Sequence, residues 1–474
     1  MDEPQQDAPA APHADASAGT PSGAVGSLAR ALDGRVPVHL PGAARHTALA
    51  ATVNLAVTQR PALVAAPATP QEVADVVRLA GEHGVPVAVQ GTGHGAAAPL
   101  DGALLLSTAA LDHLTVLPAL GTAHVGAGLR WSQVVGAAGP YGLAPVCGSA
   151  PSVGAVGYLT GGGHGPLART LGVSSDRVRA FDVVTGDGVL RRATATDEPD
   201  LFWGLRGGRG ALGVVVAVDL ELVDQPVLYA GALWSADVDR VVHAWAAWAP
   251  GLPPQATTSL GVMRLPPVPG VPEVLAGRTT ATVRFAWTGD AAEGAAALAP
   301  LREVAAPLVD TVGVIPYTAI GSIHADPDAP MPVHDSHLLL EDLGPEAVER
   351  LLELVGPSSP CVQNVVEVRH LGGAASRQPA VPDAMPSRAA TWSVFTVGVA
   401  TPATAAAVAQ DASRIAAGLA PWMRPGGLPN FTSGHGTGWA ERVYPAVTRA
   451  RLAEVSRRYD PDGVLLAARP FRSA

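Results

Sequence analysis

Two glycine-rich stretches hold the residues best suited to chemistry. Gln90-Gly91-Thr92-Gly93-His94-Gly95 follows directly on the run Val85–Val89. Glycines there let backbone N–H groups turn toward an anion and let a diphosphate approach closely. A histidine inside such a loop sits where a cofactor would lie. On its own, this stretch is better accounted for by a glycine-rich turn with an incidental histidine than by a cofactor site. The second stretch, Ala150-Pro151-Ser152-Val153-Gly154-Ala155-Val156-Gly157-Tyr158-Leu159-Thr160-Gly161-Gly162-Gly163-His164-Gly165, carries six glycines in the twelve residues from Gly154. Each glycine costs about 1 kcal/mol in a helix interior, so such density points to backbone touching a ligand. A third cluster follows at Leu205-Arg206-Gly207-Gly208-Arg209-Gly210-Ala211-Leu212-Gly213-Val214-Val215.

The elements that must position these loops are read from periodicity. Thr69-Pro70-Gln71-Glu72 opens a helix: Thr69 is an N-cap, Pro70 suits the first helical position and Glu72 completes a capping box. Val73, Val76, Val77, Leu79 and Ala80 form its apolar face. Val85–Val89 is a strand whose proline marks a start or an edge. Strands follow at Ala103–Ser107, Leu114–Leu117 and Thr122–Val125, then a helix at Trp131–Ala138. Val178–Val184 and Val189–Ala193 form a hairpin about Gly186-Asp187-Gly188, and Leu212–Leu222 is a long strand. Beyond about Val227 Trp and Pro become frequent. Strands Thr280–Trp287 and Trp392–Val399 alternate there with helices Ala291–Ala299, Pro345–Leu354 and Ala403–Leu419. Tyr444–Tyr459 is a last helix. The expected organisation is a disordered tail over 1–29, one domain over 30–224 completed by 425–474, and a second over 225–424.

Composition excludes several functions. The chain has 474 residues, a net charge of -10 and no lysine, all 31 basic residues being arginine. A lysine Schiff base with pyridoxal phosphate and the P-loop lysine are therefore impossible. No arginine cluster favours nucleic acid, no uninterrupted apolar run suggests a membrane span, and no HExxH-like spacing suggests a metal site. Cys147 and Cys361 form no CxxC pair. The acidic, Ala- and Pro-rich N-terminus lacks the features of a secretory leader; a cytoplasmic location is expected.

The three glycine clusters, in this order and spacing, resemble the FAD-binding domain of the vanillyl-alcohol-oxidase (PCMH-type) superfamily, and more closely its berberine-bridge-enzyme-like branch. The resemblance runs from about Pro61 to Leu222. It resumes more weakly at Asn430-Phe431 and from Tyr444 through Tyr459-Asp460-Pro461, while 225–424 matches in patches, mainly Glu367-Val368-Arg369-His370-Leu371-Gly372-Gly373-Ala374. It implies an α+β fold of two lobes: an FAD-binding domain, and a substrate domain of antiparallel sheet plus helices. It implies that His94 carries the flavin on a ring nitrogen. Gly91, Thr92, Gly93 and Gly95, then Pro151, Ser152, Val153, Gly154, Gly157, Gly161, His164 and Gly165, then Gly208, Gly213 and Val215, with Asn430, would line the cofactor. Many relatives attach FAD a second time through a cysteine; Ala150 stands at that position here, so a single covalent bond is expected. Val153 matches the oxygen gate, where valine goes with oxidases.

Catalytic roles are less legible. The family's tyrosine base, two residues before the Asn-aromatic pair, is replaced by Leu428. His164 matches a position beside the flavin and is a candidate proton acceptor near neutral pH, or a packing ring. Arg369 can bind an anionic substrate group or serve an interdomain salt bridge. Tyr444 and His435 are secondary bases, or structural. Asn430 hydrogen-bonds backbone or flavin, and Glu367 reads equally as a surface carboxylate or a base. The expectation is an FAD-dependent oxidase of a small, natural-product-like molecule with O2 as acceptor. A flavodehydrogenase, an oligosaccharide oxidase and a non-catalytic flavin-binding protein are the alternatives.

Overall fold

The computed structural model describes residues 23–97, 99–434 and 437–472. The tail expected over 1–29 is corrected at its end: residues 23–29 belong to a helix, Gly23–Leu32, that seats Leu28 and Leu32 in the first core, while 1–22 lie outside the described residues. The helix Pro70–Glu82 follows as expected. The Thr69 hydroxyl receives the Glu72 N–H at 3.2 Å, and the Glu72 carboxylate reaches one residue past the N-cap to the Ala68 N–H at 2.7 Å.

The first lobe holds two main sheets. One orders Val38–His39, Leu63–Ala65, Leu104–Ser107 and Val87–Gln90, the last two pairs running parallel. Val87–Gln90 is its edge strand and starts immediately after Pro86, where a missing N–H costs nothing. Beyond that edge Val87 bridges to Leu465, so the C-terminal segment completes this lobe. The other sheet is antiparallel and runs Leu114–Leu117, Thr122–Gly126, Val214–Glu221, Val178–Val184 and Leu190–Ala193. Trp439, Tyr444, Leu452, Tyr459 and Phe471 pack into the same core as Val87 and Val214.

Every strand from Val227 to Arg424 belongs to one nine-stranded antiparallel sheet with its own core. Helices Val238–Trp248, Ala291–Ala305, Pro345–Val355 and Ala405–Leu419 contribute to that core. The Ala291 helix passes through Pro300, where the sequence suggested it would stop at Ala299. Leu301 and Ala305 are buried, and their packing offsets the missing hydrogen bond. Among the described residues no helix is long and apolar enough to cross a membrane.

Candidate cofactor and active site

The three glycine clusters converge. Gly154 N–H donates to Thr92 Oγ1 at 3.3 Å, and a Cβ at Gly154 would lie 3.2 Å from Thr92 Cγ2. The Gly207 and Arg209 N–H groups both donate to the Thr160 carbonyl, at 3.0 and 2.9 Å. A Cβ at Gly95 would meet Arg209 Nη2 at 3.3 Å. Sites far apart in sequence therefore share one crevice.

Within the first loop Gly93 has φ +78° and lies so close to Ala51 that a Cβ would sit 2.8 Å from its carbonyl oxygen. Only glycine turns the chain there. Among the described residues, the N–H groups of Thr92, Gly93, His94 and Gly95 donate to no other group. Free N–H groups on a turn of this kind suit an anion such as a diphosphate. The His94 ring is held at both nitrogens: Nδ1 is 2.9 Å from Thr92 Oγ1 and Nε2 is 3.4 Å from Ser152 Oγ. Burial, then the Arg130 guanidinium, lower its pKa, with Asp328 opposing, so the ring stays neutral. A cavity of about 160 Å³ opens beside it, lined by Asn54, Ala96, Met331, Asp335 and Ser433, residues drawn from both lobes.

The helix Ala155–Thr160 is buried at every position but Gly157, which is exposed and has nothing within 4 Å of a would-be Cβ. An exposed glycine on a buried helix leaves a flat face for a planar or extended group. Gly91 and Gly95 are also exposed. These positions, with Pro151, Ser152 and Val153 on the partly buried turn between them, are the residues that fit FAD. The other glycines named for the cofactor are needed for packing instead. A Cβ at Gly161 would strike the Asn430 side chain at 2.6 Å, and one at Gly165 the Cys147 carbonyl. At Gly208 it would strike the Gly204 carbonyl at 2.5 Å, and at Gly213 the Val183 side chain at 2.5 Å. Val215 is buried in its strand.

The candidate bases fare differently. His164 is buried, and burial followed by Arg388 and Arg369 pushes its pKa down to about 3. It is a neutral ring and a poor proton acceptor at pH 7, against expectation. Tyr444 is also buried; its hydroxyl donates to the Gly207 carbonyl at 2.7 Å, and burial raises its pKa, so it ties the C-terminal segment to the third cluster. His435 lies outside the described residues. Asn430 bonds backbone: Oδ1 accepts the Gly163 N–H at 2.9 Å and Nδ2 donates to the Tyr158 carbonyl at 3.1 Å. Leu428 is buried in an apolar cluster with Leu339, Leu371 and Met385. Cys147 is buried against Tyr317, 3.6 Å from its hydroxyl, and burial pushes the thiol up to about 11.

Glu367 is not at the surface. It is 3% exposed, with Oε2 2.8 Å from Arg369, and Oε1 2.9 Å from Arg284 and 2.7 Å from the Ser259 hydroxyl. Burial alone would raise its pKa, but Arg369 and Arg284 outweigh that and hold the carboxyl well below its ordinary value. Arg369 also lies 4.6 Å over the Phe431 ring. The sequence reading missed Arg284, Ser259 and Arg169. One signal was present: Arg284 is the lone charge in the apolar strand Thr279–Trp287, and a charge there demands a partner.

Residues 61–194 match the FAD binding domain family. The chain carries an FAD-binding domain. The matched stretch includes both the His94 loop and the Gly157 helix. An FAD-linked oxidoreductase of Aspergillus niger is 33% identical over 210 residues, 43% of this chain and 39% of that protein. The matches span roughly a third to two fifths of the length of such curated relatives. The structure of a chitooligosaccharide oxidase superposes with a TM-score of 0.80 at 21% identity, covering 94% of this chain and 98% of that one. A berberine-bridge-like protein of Physcomitrella patens gives 0.80 at 16% identity, covering 94% and 97%. The chain shares the fold of these two proteins.

Proposed function

We propose that this chain is an FAD-linked oxidoreductase, most simply an oxidase, that holds FAD through one covalent bond to His94. FAD in this crevice supplies the hydride acceptor for oxidation of a small organic substrate, with O2 as the final acceptor. The observation that carries the reading is the placement of a neutral, doubly positioned imidazole in a loop of free N–H groups that Thr92 joins to Gly154 of the second glycine stretch. Thr92 and Ser152 orient the ring, the glycine turn binds phosphate, and residues of the nine-stranded sheet line the far side of the cavity beside His94. Val153 at the turn's centre and the oxidase among the structural neighbours favour O2 over another acceptor. The buried thiol of Cys147 and the methyl side chain of Ala150 support a single attachment.

The test is acid precipitation of purified protein. The yellow colour is expected in the pellet, and His94→Ala moves it to the supernatant. A colourless wild-type pellet sinks the covalent bond. Photoreduced protein mixed with aerated buffer re-oxidises within seconds if it is an oxidase; re-oxidation over many minutes assigns a dehydrogenase instead.

A further inference from the structure

Between the two lobes, above Gly165, lies a cavity of about 30 Å³. A space of that size takes about two water-sized groups, which matches the two oxygens of a carboxylate. His164 lines one side, adjoining the second glycine stretch, and Arg284, Arg369 and Arg169 line the other. Phe285, Ile323 and Pro166 supply apolar walls.

The sheet register builds this site. Arg284 and Arg369 both pair across the central residue Ser259, one from each neighbouring strand, so the two guanidiniums flank it in one row. Glu367 lies in the next row on the same face, opposite Gly261. A side chain at Gly261 would press on Arg284, its Cβ 3.3 Å from Nη1, so glycine there leaves Arg284 free to reach Glu367.

The positive charge in this set is not matched. Glu367 serves both Arg284 and Arg369. Arg169 is buried with the Ala256, Leu252 and Leu371 carbonyls and the His370 ring as its partners. The nearby Arg388 is already paired with Asp176 and Asp383. Three guanidiniums thus face one carboxylate. Arg284 is 4% exposed and, among the described residues, its side chain makes a single hydrogen bond from five donors and its buried Nε finds no partner. Among the described residues, buried His324 has no hydrogen-bond partner at Nδ1, while its Nε2 lies 3.3 Å from Glu367. Buried donors left unmade cost more than they are worth in a protein that has no use for them.

We propose that this cavity receives the carboxylate of an organic acid substrate, with Arg284 and Arg369 as its ligands and Glu367 as the residue that positions both. The inference rests on the flavin reading only in calling that acid a substrate. The anion site itself stands on the arginine geometry. An apolar body attached to the acid would lie along Phe285 and Ile323.

The experiment is isothermal titration calorimetry of the purified holoprotein with acetate and benzoate, each against its neutral amide, acetamide and benzamide. At least one acid is expected to bind at least tenfold more tightly than its amide. Arg284→Gln should raise that acid's Kd at least tenfold, the scale of one lost charged hydrogen bond. Should this variant not fold, Arg284→Gln/Glu367→Gln removes a cation and its carboxylate together and is expected to weaken the acid while leaving the amide unchanged. Amides binding as well as acids, neither acid binding the wild type, or unchanged acid affinity in the folded variant each overturn the proposal. The heat of binding does not depend on colour, so a colourless protein that prefers acids refutes the flavin assignment alone, and a yellow protein indifferent to charge refutes the anion site alone.

Discussion

Thr92 Oγ1 stands 2.9 Å from His94 Nδ1 and at the same time receives the Gly154 N–H at 3.3 Å, so one hydroxyl joins the imidazole to the second glycine stretch. Removing it frees the ring to rotate. Thr92→Val should therefore leave the fold intact but lower the fraction of flavin retained after acid precipitation, and Thr92→Ser should restore it. Equal retention in all three proteins would show that the ring needs no such anchor.

Gly157 and Gly213 make a contrasting pair. A Cβ at Gly157 meets no neighbour, and Gly157→Leu replaces a poor helix former at an exposed position, so the thermal midpoint of the flavin-free protein should hold or rise while flavin binding is lost. Gly213→Ala places a Cβ 2.5 Å from Val183 and 2.8 Å from the Val184 carbonyl. Overpacking of this kind costs about 1–3 kcal/mol, and flavin content per folded molecule should not change. Denaturant melts with parallel absorbance spectra separate the two effects.

Tyr444→Phe tests whether that hydroxyl is structural. The Gly207 carbonyl would lose its donor in a buried setting, at a cost of about 1–2 kcal/mol in urea unfolding. The pH profile of flavin reduction by substrate should keep its shape. Disappearance of a titration step from that profile would return Tyr444 to the chemistry.

Stability should fall on the acid side. His164 and His370 titrate near 6.5 when unfolded and are pushed down to about 3 when folded, by burial first and by neighbouring arginines second. A depressed folded value means the unfolded chain binds more protons between these limits. Their contribution is complete above about pH 6.5 and is lost as pH falls toward 3, on the order of 2 kcal/mol for each ring by pH 5. Glu367 acts in the same direction, since its depressed carboxyl stabilises the fold above its ordinary value and less below it. Chemical melts from pH 7.5 to 5 should show this slope, and His164→Gln should flatten it. A midpoint independent of pH would mean that these rings take up protons in the native protein as readily as in the unfolded chain.

The flavin lobe was legible because backbone demands leave short, local signatures. Gly93 has to be glycine where it turns against Ala51, and the Thr69–Glu72 cap announces its helix within four residues. What composition alone could not separate was glycine that faces a ligand from glycine that faces protein: Gly157 and Gly161 look alike in sequence, and only Asn430, 269 positions beyond the second, distinguishes them. The charged cavity was hidden for the same reason. Arg284, Ser259 and Arg369 meet through strand register, and nothing near any one of them in the chain reveals the other two. Glu367 read equally as a surface carboxylate or a base because its partners Arg284 and Ser259 arrive from other strands.

The bridge from Val87 to Leu465 has a consequence for biogenesis. The edge strand that launches the His94 loop finds its outer neighbour only in the last part of the chain, after the entire nine-stranded sheet has left the ribosome. A nascent chain halted before Leu465 should emerge with that edge open to pairing with other molecules.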